Sequence, residues 1–290
     1  MKTRFLWAVA LVGLALPLHA ASLVESTFTE VVKNVNVIAG VTKSTIPARV
    51  NDPFKAPDLV RTGPGSRAEM TAPDQTITRV GANTVFSFEP AGRNLRLEQG
   101  SVLFHSPAGK GGGTIKTGGA SAAVLGTTTI VVTTVDGGFK FIVLEGWGKA
   151  TLADGKSKIL KAGQIVFILP GGKGFSEVLD INLGKLVGGS QLISGFAHEL
   201  PSLALINAAI QKQNDDLAKG RARDTGVSAD KFAVRQGAVS GLNVVDVGSY
   251  QNAAHRPLSV KKLSNFFNGQ NRGRGVFGTP GGRGFTPLGF

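Results

Sequence analysis

The segment Ile130–Val143 reads IVVTTVDGGFKFIV and carries the clearest structural signal in the chain. Its first half is almost entirely β-branched, and such side chains crowd a helix but pack well on a pleated sheet. The central Asp-Gly-Gly is a turn signal, and the second strand-like segment, Phe139–Val143, follows it. The segment therefore predicts two antiparallel strands joined by a tight turn.

The same kind of pattern continues on both sides of this hairpin. Short apolar segments at Val85–Phe88, Leu95–Leu97 and Val102–Phe104 predict strands of about four to six residues. Asp154-Gly155 predicts the turn of a second hairpin, and no helical period lies between the strands. We therefore expect a mainly β domain over residues 26–180, built as a sandwich, a jelly roll or a short β-helix.

Residues 181–220 change to a helical period. The apolar positions recur at helical spacing, at Leu203, Ile206, Ile210 and Leu217. Gly220 suits the end of this helix, and a shorter helix is expected over Ser190–Glu199. We predict a helical appendage whose apolar face packs on the β domain or on a second copy of the chain.

Residues 1–21 have the order of a secretory signal peptide. Basic residues stand before an apolar run from Phe5 to Leu18, and the small residues Ala20 and Ala21 follow. The run is shorter than the roughly 20 apolar residues that a membrane-spanning helix needs. We expect cleavage of this leader, export to the periplasm or the medium, and no transmembrane anchor.

Net charge and amino-acid composition limit the kinds of partner and site that this chain can have. The 290-residue chain has a net charge of +13, which favours anionic partners, and no cysteine, which excludes disulfides and thiolate-held metals. Residues 221–290 hold ten basic against three acidic residues. Their Gly, Arg and Pro content predicts a basic, largely flexible tail. Its candidate contacts to a polyanion are Arg272, Arg274 and Arg283.

A search for catalytic motifs finds no HExxH, GxSxG or Walker loop. Glu98, Asp136, Glu145 and Asp154 stand near strand ends, and a carboxylate pair for glycoside hydrolysis stays open as an alternative. Trp147 is a candidate for stacking on a sugar ring, with ordinary packing as the competing role. We expect no catalytic residue, no metal site and no cofactor.

Six short pieces with turn-like spacing follow one another through the β region. They are Asp58–Glu69, Arg79–Thr84, Leu97–Val102, Val124–Thr127, Val143–Gly146 and Ala162–Gln164. In this order they resemble the FecR domain, a family named for an iron-dicitrate sensor of bacterial envelopes. The resemblance covers roughly residues 35–170 and implies an extracytoplasmic all-β module.

The residue types in these pieces suit turns and strand ends, where glycine permits close backbone approach. We therefore expect structural roles for the motif residues and leave the ligand-binding residues unknown. The motif residues are Arg61, Thr62, Gly63, Ser66, Arg67, Gly81, Asn83, Thr84, Gly100, Leu125, Gly126, Thr127, Glu145, Gly146, Gly163 and Gln164.

Typical FecR-type regulators resemble membrane-spanning proteins, with a cytoplasmic segment that engages a sigma factor and a periplasmic part that senses an outer-membrane transporter. Only four residues precede the apolar run, so we do not expect the regulator role to carry over. The hypothesis is an exported, non-enzymatic binding, sensing or scaffold module with an envelope protein or anionic glycan as partner. The alternatives are a carbohydrate hydrolase and a tail that binds anionic polymers or nucleic acid, of which nucleic acid is disfavoured by export.

Overall fold

The computed structural model describes residues 21–135, 137–168 and 173–222. The predicted leader up to residue 20, the Asp136 position and the predicted tail beyond residue 222 lie outside these ranges.

Within the described ranges the chain forms seventeen strands and three helices. The strands are β1 (Glu25–Val32), β2 (Val35–Ile38), β3 (Thr45–Pro47), β4 (Pro53–Lys55), β5 (Leu59–Thr62), β6 (Arg67–Thr71), β7 (Ile77–Val80), β8 (Val85–Phe88), β9 (Asn94–His105), β10 (Gly113–Lys116), β11 (Ala120–Val124), β12 (Thr128–Thr133), β13 (Phe139–Glu145), β14 (Trp147–Leu152), β15 (Ser157–Lys161), β16 (Gln164–Ile168) and β17 (Leu179–Asp180). The helices are α1 (Leu183–Gly189), α2 (Gln191–Ser194) and α3 (Leu203–Ala218).

The long strand β9 connects two layers of sheet. Its first half, residues 94–99, pairs with β8 and β10 in the order β3-β2-β5-β8-β9-β10-β11-β14-β15, which we call the open sheet. Its second half, residues 100–105, pairs with β7 and β12 in the order β4-β1-β6-β7-β9-β12-β13-β16-β17, which we call the covered sheet. Neighbouring strands are antiparallel throughout, except for the parallel pair β9 and β10.

One hydrophobic core fills the space between the two sheets. Val60 and Leu95 enter it from the open sheet, and Met70 and Phe141 enter it from the covered sheet. Phe54 lies near its centre, with three neighbouring phenylalanine rings at centroid distances of 5.3–6.2 Å. This core holds the two layers face to face, as in a β-sandwich.

A second core lies on the other face of the covered sheet, beneath the helices. Ile130 and Ile142 of the sheet pack there with Leu183, Leu192 and Ile206 of the three helices. Strands β12 and β13 are therefore buried at every residue, since each of their faces meets a core. This explains the uninterrupted apolar stretches Ile130–Val132 and Phe141–Leu144 within these strands.

An ion pair buried under the helices fastens them to the covered sheet. Arg79 on β7 is fully buried, and its Nε lies 2.7 Å from Oε2 of Glu69 on β6. The same guanidinium donates to the main-chain carbonyls of Leu192 and Ile193, at 3.2 and 2.9 Å. The ring of Phe196 lies over it, 4.3 Å from the centroid. A single cation thus joins two strands to α2 and to Phe196, which follows it.

The predicted fold class is confirmed, because the described residues are mainly β, with 44% in strands and 14% in helices. The hairpin predicted over Ile130–Val143 is present as β12 and β13. Two predicted strands, Leu95–Leu97 and Val102–Phe104, are instead parts of the single strand β9, because Gly100 redirects the chain without ending it. The short helix expected over Ser190–Glu199 is limited to the four residues of α2.

Candidate functional site

Each of the six pieces of the predicted family signature contains a point at which the chain passes from one sheet to the other. We call these points crossings. The crossings lie between β5 and β6, β7 and β8, the two halves of β9, β11 and β12, β13 and β14, and β15 and β16. One residue of each piece has a positive φ: Gly65 (62°), Asn83 (53°), Gly100 (93°), Gly126 (62°), Gly146 (72°) and Gly163 (79°). The signature therefore follows the crossings.

Motif hydroxyls in the first half of the domain connect neighbouring crossings. The hydroxyl of Thr62 donates to the carbonyl of Gly81 at 2.6 Å and accepts from the amide of Thr84 at 2.8 Å. The hydroxyl of Thr84 accepts from the amide of Ser101 at 3.1 Å. Buried hydroxyls of this kind satisfy main-chain groups that the interrupted strand ladders leave without partners.

Three further motif residues hold the first crossing against the turn that leads into β2. The hydroxyl of Ser66 accepts from the amide of Asn34 at 3.1 Å, and the amide of Gly63 donates to the carbonyl of Asn34 at 2.9 Å. The carbonyl of Gly63 also accepts from the amide of Asn83 at 3.2 Å. The first and second crossings are thereby joined into one hydrogen-bonded unit.

Gly100 shows why a crossing needs glycine. Its φ of 93° is disfavoured for any residue with a side chain, and a Cβ there would lie 2.3 Å from the Thr84 hydroxyl oxygen and 2.5 Å from the Thr84 Cα. Only a residue without a side chain lets β9 bend from one sheet into the other this close to its neighbour.

The second group of motif residues lies at the crossings of the other half. A Cβ on Gly146 would lie 2.4 Å from a methyl carbon of Thr127, and the amide of Gly163 donates to the carbonyl of Val143 at 2.9 Å. Gln164 accepts from the amide of Lys161 and donates to Asp180 at 3.0 Å. Arg61 and Leu125 are solvent-exposed. The sixteen motif residues are thus distributed along the fold and do not line one pocket, and their predicted structural role stays a prediction.

Comparison with known proteins agrees with this geometry. Residues 58–147, which include five of the six signature pieces, match the family model described as FecR protein. This segment is therefore similar to a FecR-type domain. The resemblance to the FecR domain predicted from the sequence is confirmed. A match of this kind suggests a regulatory or sensing module.

Two similar solved structures are those of a candidate anti-sigma factor from Parabacteroides distasonis ATCC 8503, at 1.65 and 2.50 Å resolution. Both are 18% identical to this chain with a TM-score of 0.39 and match 47% of it. The chain spans 65% and 64% of their lengths, just under two thirds. No curated protein matches the sequence.

The acidic residues considered for glycoside hydrolysis occupy separate settings. Glu98 is exposed on β9 beside Arg96, at 3.7 Å, and Asp154 is exposed in the turn between β14 and β15, where it pairs with Lys156 at 2.9 Å. Glu145 is buried at the end of β13. Asp136 lies outside the described residues. A carboxylate pair across a cleft is therefore not formed by the three that are described.

Glu145 belongs to a buried polar cluster centred on Thr128. The Thr128 hydroxyl lies 2.8 Å from Glu145 Oε1, 2.9 Å from His105 Nδ1 and 2.7 Å from Ser202 Oγ. Thr128 Oγ1 is placed to donate to Glu145 Oε1 or to Ser202 Oγ, and its single hydroxyl proton serves one of them at a time. Burial raises the pKa of Glu145, against a smaller lowering by the Thr128 hydrogen bonds, and burial lowers the pKa of His105.

These four side chains join three strands to the start of α3. His105, Thr128 and Glu145 are opposite one another on β9, β12 and β13, and Ser202 is the N-cap residue of α3. All four are less than 7% exposed, which leaves little access for a substrate. The cluster therefore works as an internal polar joint beneath the helices.

The part of the chain that the structure describes was compared with the requirements of a metal site and of a membrane-spanning helix. No group of three or more His, Asp or Glu side chains is arranged to hold a metal ion there. None of the three helices is long and apolar enough to cross a membrane.

The outer face of the open sheet carries exposed side chains along its strands. Arg61, Lys149 and Lys161 point outward from it, and none of them forms an ion pair with another described residue. Arg96 and Lys116 on the same face pair with Glu98 and Glu89, at 3.7 and 2.6 Å. The face is therefore cationic, with its unpaired charge on β5, β14 and β15.

Four outward side chains form a block at one edge of this face. Trp147 is directly opposite Lys161, and Lys149 is directly opposite Ile159, on the paired strands β14 and β15. Trp147 is 47% exposed and Ile159 is 67% exposed. Apolar and cationic side chains thus alternate along both strands and across them. We call this block, Trp147, Lys149, Ile159 and Lys161, the Trp147 quartet.

Trp147 was a candidate from the sequence, and its three neighbours were not. The signal was available, because the Asp154-Gly155 turn predicts a hairpin and a hairpin fixes which residues face each other. The buried pair of Arg79 and Glu69 was also missed. They are ten residues apart on adjacent strands, and only the turn geometry brings them together. Arg272, Arg274 and Arg283 lie outside the described residues.

Proposed function

We propose that this chain is an exported, non-catalytic binding module that holds an acidic glycan of the cell envelope on the Trp147 quartet. The FecR match supports a sensing or binding role. The observation that carries the proposal is the exposed tryptophan flanked by unpaired lysines on an uncovered sheet face. Export rests on the leader seen in the sequence.

The chemistry of the quartet suits a polymer of charged sugars. An exposed indole offers a flat apolar surface for a sugar ring, and lysine ammonium groups attract the carboxylates or sulfates of neighbouring rings. Opposite side chains on paired strands are about 5 Å apart at Cβ, so Trp147 and Lys161 can contact a single sugar unit. A flat, open face also admits a long polymer from either direction.

The rest of the described protein offers less for catalysis than for binding. The described carboxylates considered for hydrolysis are either buried or ion-paired with a neighbouring cation. The cationic face, in contrast, matches the net charge of +13. An electrostatic contact of this type weakens with salt, which gives the proposal a direct test.

The test uses the full mature chain, residues 22–290, on immobilised polygalacturonate with neutral dextran as the reference matrix. Retention on polygalacturonate should fall as NaCl rises, and dextran should retain nothing. The double variant Lys149→Glu/Lys161→Glu should elute at clearly lower salt. Trp147→Ala should weaken binding about tenfold while leaving the salt dependence unchanged, because it removes stacking and no charge.

A matched control separates local from overall charge. Lys110→Glu/Lys185→Glu makes the same change in net charge at exposed lysines outside the quartet, in the loop before β10 and on α1. This control should elute close to the parent protein. If it elutes as early as the quartet variant, the net charge or the tail holds the polymer and the proposed surface is wrong.

A further inference from the structure

A cleft lies at the seam between the β domain and the helical appendage. Its volume is about 200 Å³. Its walls come from the turn between β1 and β2, from the first two crossings and from α2, and they include Lys33, Gly65, Arg67, Gly81, Gln191 and Leu192. Two of these residues are cations and none is acidic. The cleft belongs to neither the Trp147 quartet nor the buried polar cluster.

The first cation, Lys33, lies in the turn between β1 and β2. Its φ is 61°, a left-handed conformation that a lysine rarely adopts. Its ammonium nitrogen lies beside Gly65, since a Cβ built on that glycine would be 3.2 Å from Nζ. Lys33 forms no ion pair with any described residue. Lys33 thus brings to the lining of the cleft a positive charge that no described carboxylate pairs with.

The second cation, Arg67, is oriented by the appendage. Its Nε donates to the carbonyl of Gly195, and its guanidinium carbon lies 5.6 Å from the centroid of the Phe196 ring. The two terminal nitrogens of Arg67 have no partner among the described residues. A guanidinium fixed through Nε presents these nitrogens as a fork, the geometry that binds two oxygens of one anion.

We infer that this cleft binds a phosphoryl group, with Arg67 and Lys33 as its two cationic contacts. A fork and a point charge without any carboxylate suit a doubly charged tetrahedral oxyanion better than a singly charged one. The volume is sufficient for a phosphate with several waters, each of which takes about 30 Å³.

Anion binding in the cleft is coupled to the packing of the helical appendage on the β domain. Leu192 forms a wall of the cleft, and its carbonyl accepts from Arg79 of the covered sheet. Arg67 contacts both the cleft and Gly195. A bound anion that holds Arg67 in place therefore stabilises the α2 segment on the β domain, and the docked segment in turn favours binding by the same factor.

Calorimetric titration of the mature chain with inorganic phosphate, at constant ionic strength, tests the site. We expect a dissociation constant in the millimolar range and a loss of about fivefold or more in Lys33→Gln. Lys43→Gln is a matched control, because Lys43 is also an exposed turn lysine with positive φ, at 59°, but lies outside the cleft. It should bind like the parent.

Further arms identify the anion and separate this site from the proposed glycan surface. Glycerol phosphate should bind like free phosphate if the phosphoryl group is what is recognised, and tighter binding of acetate overturns that assignment. Arg67→Lys keeps the charge but loses the fork, so it should also weaken binding. Lys149→Glu/Lys161→Glu should leave phosphate binding unchanged. Absence of binding at about 20 mM phosphate, or equal binding by Lys33→Gln and the parent, refutes the inference.

Amide hydrogen exchange measures separately whether phosphate binding stabilises the docked α2 segment. Phosphate at saturation should slow exchange in residues 191–199 of the parent and not in Lys33→Gln. Unchanged exchange in the parent, with binding intact, means that the anion does not stabilise the docked segment and removes the coupling from the proposal.

Discussion

The covered sheet and the open sheet have nine strands each and share β9, yet their sequences follow different rules. Strands β12 and β13 of the covered sheet are buried at every residue. Strands β11 and β14 of the open sheet alternate buried with partly or fully exposed positions. The covered sheet also contains the buried ion pair and the polar cluster, while the open sheet carries its charges in water. One sheet thus supports the helices, and the other offers a surface.

The largest expected effect comes from breaking the buried ion pair of the covered sheet. Arg79→Met leaves the buried Glu69 carboxylate without its cation and removes the donor to the carbonyls of Leu192 and Ile193. We expect a loss of about 3–5 kcal/mol in the free energy of unfolding, measured by urea denaturation.

The open sheet provides the matched control for this loss. Arg96→Met breaks the exposed pair with Glu98, and the expected loss is below about 1 kcal/mol. Adding Glu69→Gln to Arg79→Met should recover part of the stability, because it removes the uncompensated charge. Equal losses for Arg79→Met and Arg96→Met would contradict the contrast between the two sheets.

The second largest loss of stability is expected at the crossing within β9, where the chain passes between the two sheets. Gly100→Ala places a methyl group 2.3 Å from the Thr84 hydroxyl oxygen at a φ of 93°. The backbone strain and the overlap together should cost about 2–5 kcal/mol of unfolding free energy.

Gly155 separates these two contributions. It has a similar φ of 86°, in the turn between β14 and β15, but a Cβ there meets nothing within 4 Å. Gly155→Ala should therefore cost only about 1 kcal/mol. If both variants lose the same amount in urea denaturation, close approach at the crossing does not explain the need for glycine.

The two sheets also differ in how far the sequence predicts them. The hairpin of β12 and β13 was predictable because a β-branched run, a turn signal and a second run lie next to one another. The sheet-crossing role of the signature was not, since a glycine that ends a strand and a glycine that bends one, like Gly100, look alike in sequence. The pairing of Arg79 with Glu69 and the cluster of His105, Thr128 and Glu145 depend on cross-strand register. That register is fixed by turn geometry and by contacts distant in the chain.

The smallest expected effect concerns the pH dependence of the covered sheet. Burial raises the pKa of Glu145 above its usual 4.5, so the native state takes up this proton at a higher pH than the unfolded state does. The cost of the buried carboxylate is therefore fully present above the native pKa and disappears as pH falls toward 4.5. Glu145→Gln removes this cost and keeps an oxygen that accepts from Thr128. It should be more stable than the parent at pH 7, by about 1 kcal/mol, and the difference should shrink with acidification.

His105 also titrates in this pH range, but its effect on stability is shared by Glu145→Gln and the parent. The lowered pKa of His105 makes the native state resist protonation, so stability falls as pH drops below 6.5. Both proteins carry this histidine, and its contribution largely cancels in the difference between their urea midpoints. Glu98→Gln, on the solvent face of the open sheet, should change stability by less than about 0.5 kcal/mol at each pH. A Glu145→Gln difference that stays constant from pH 7 to 4.5 would show that burial does not disfavour the Glu145 carboxylate, and the cluster would then resemble the exposed charges of the open sheet.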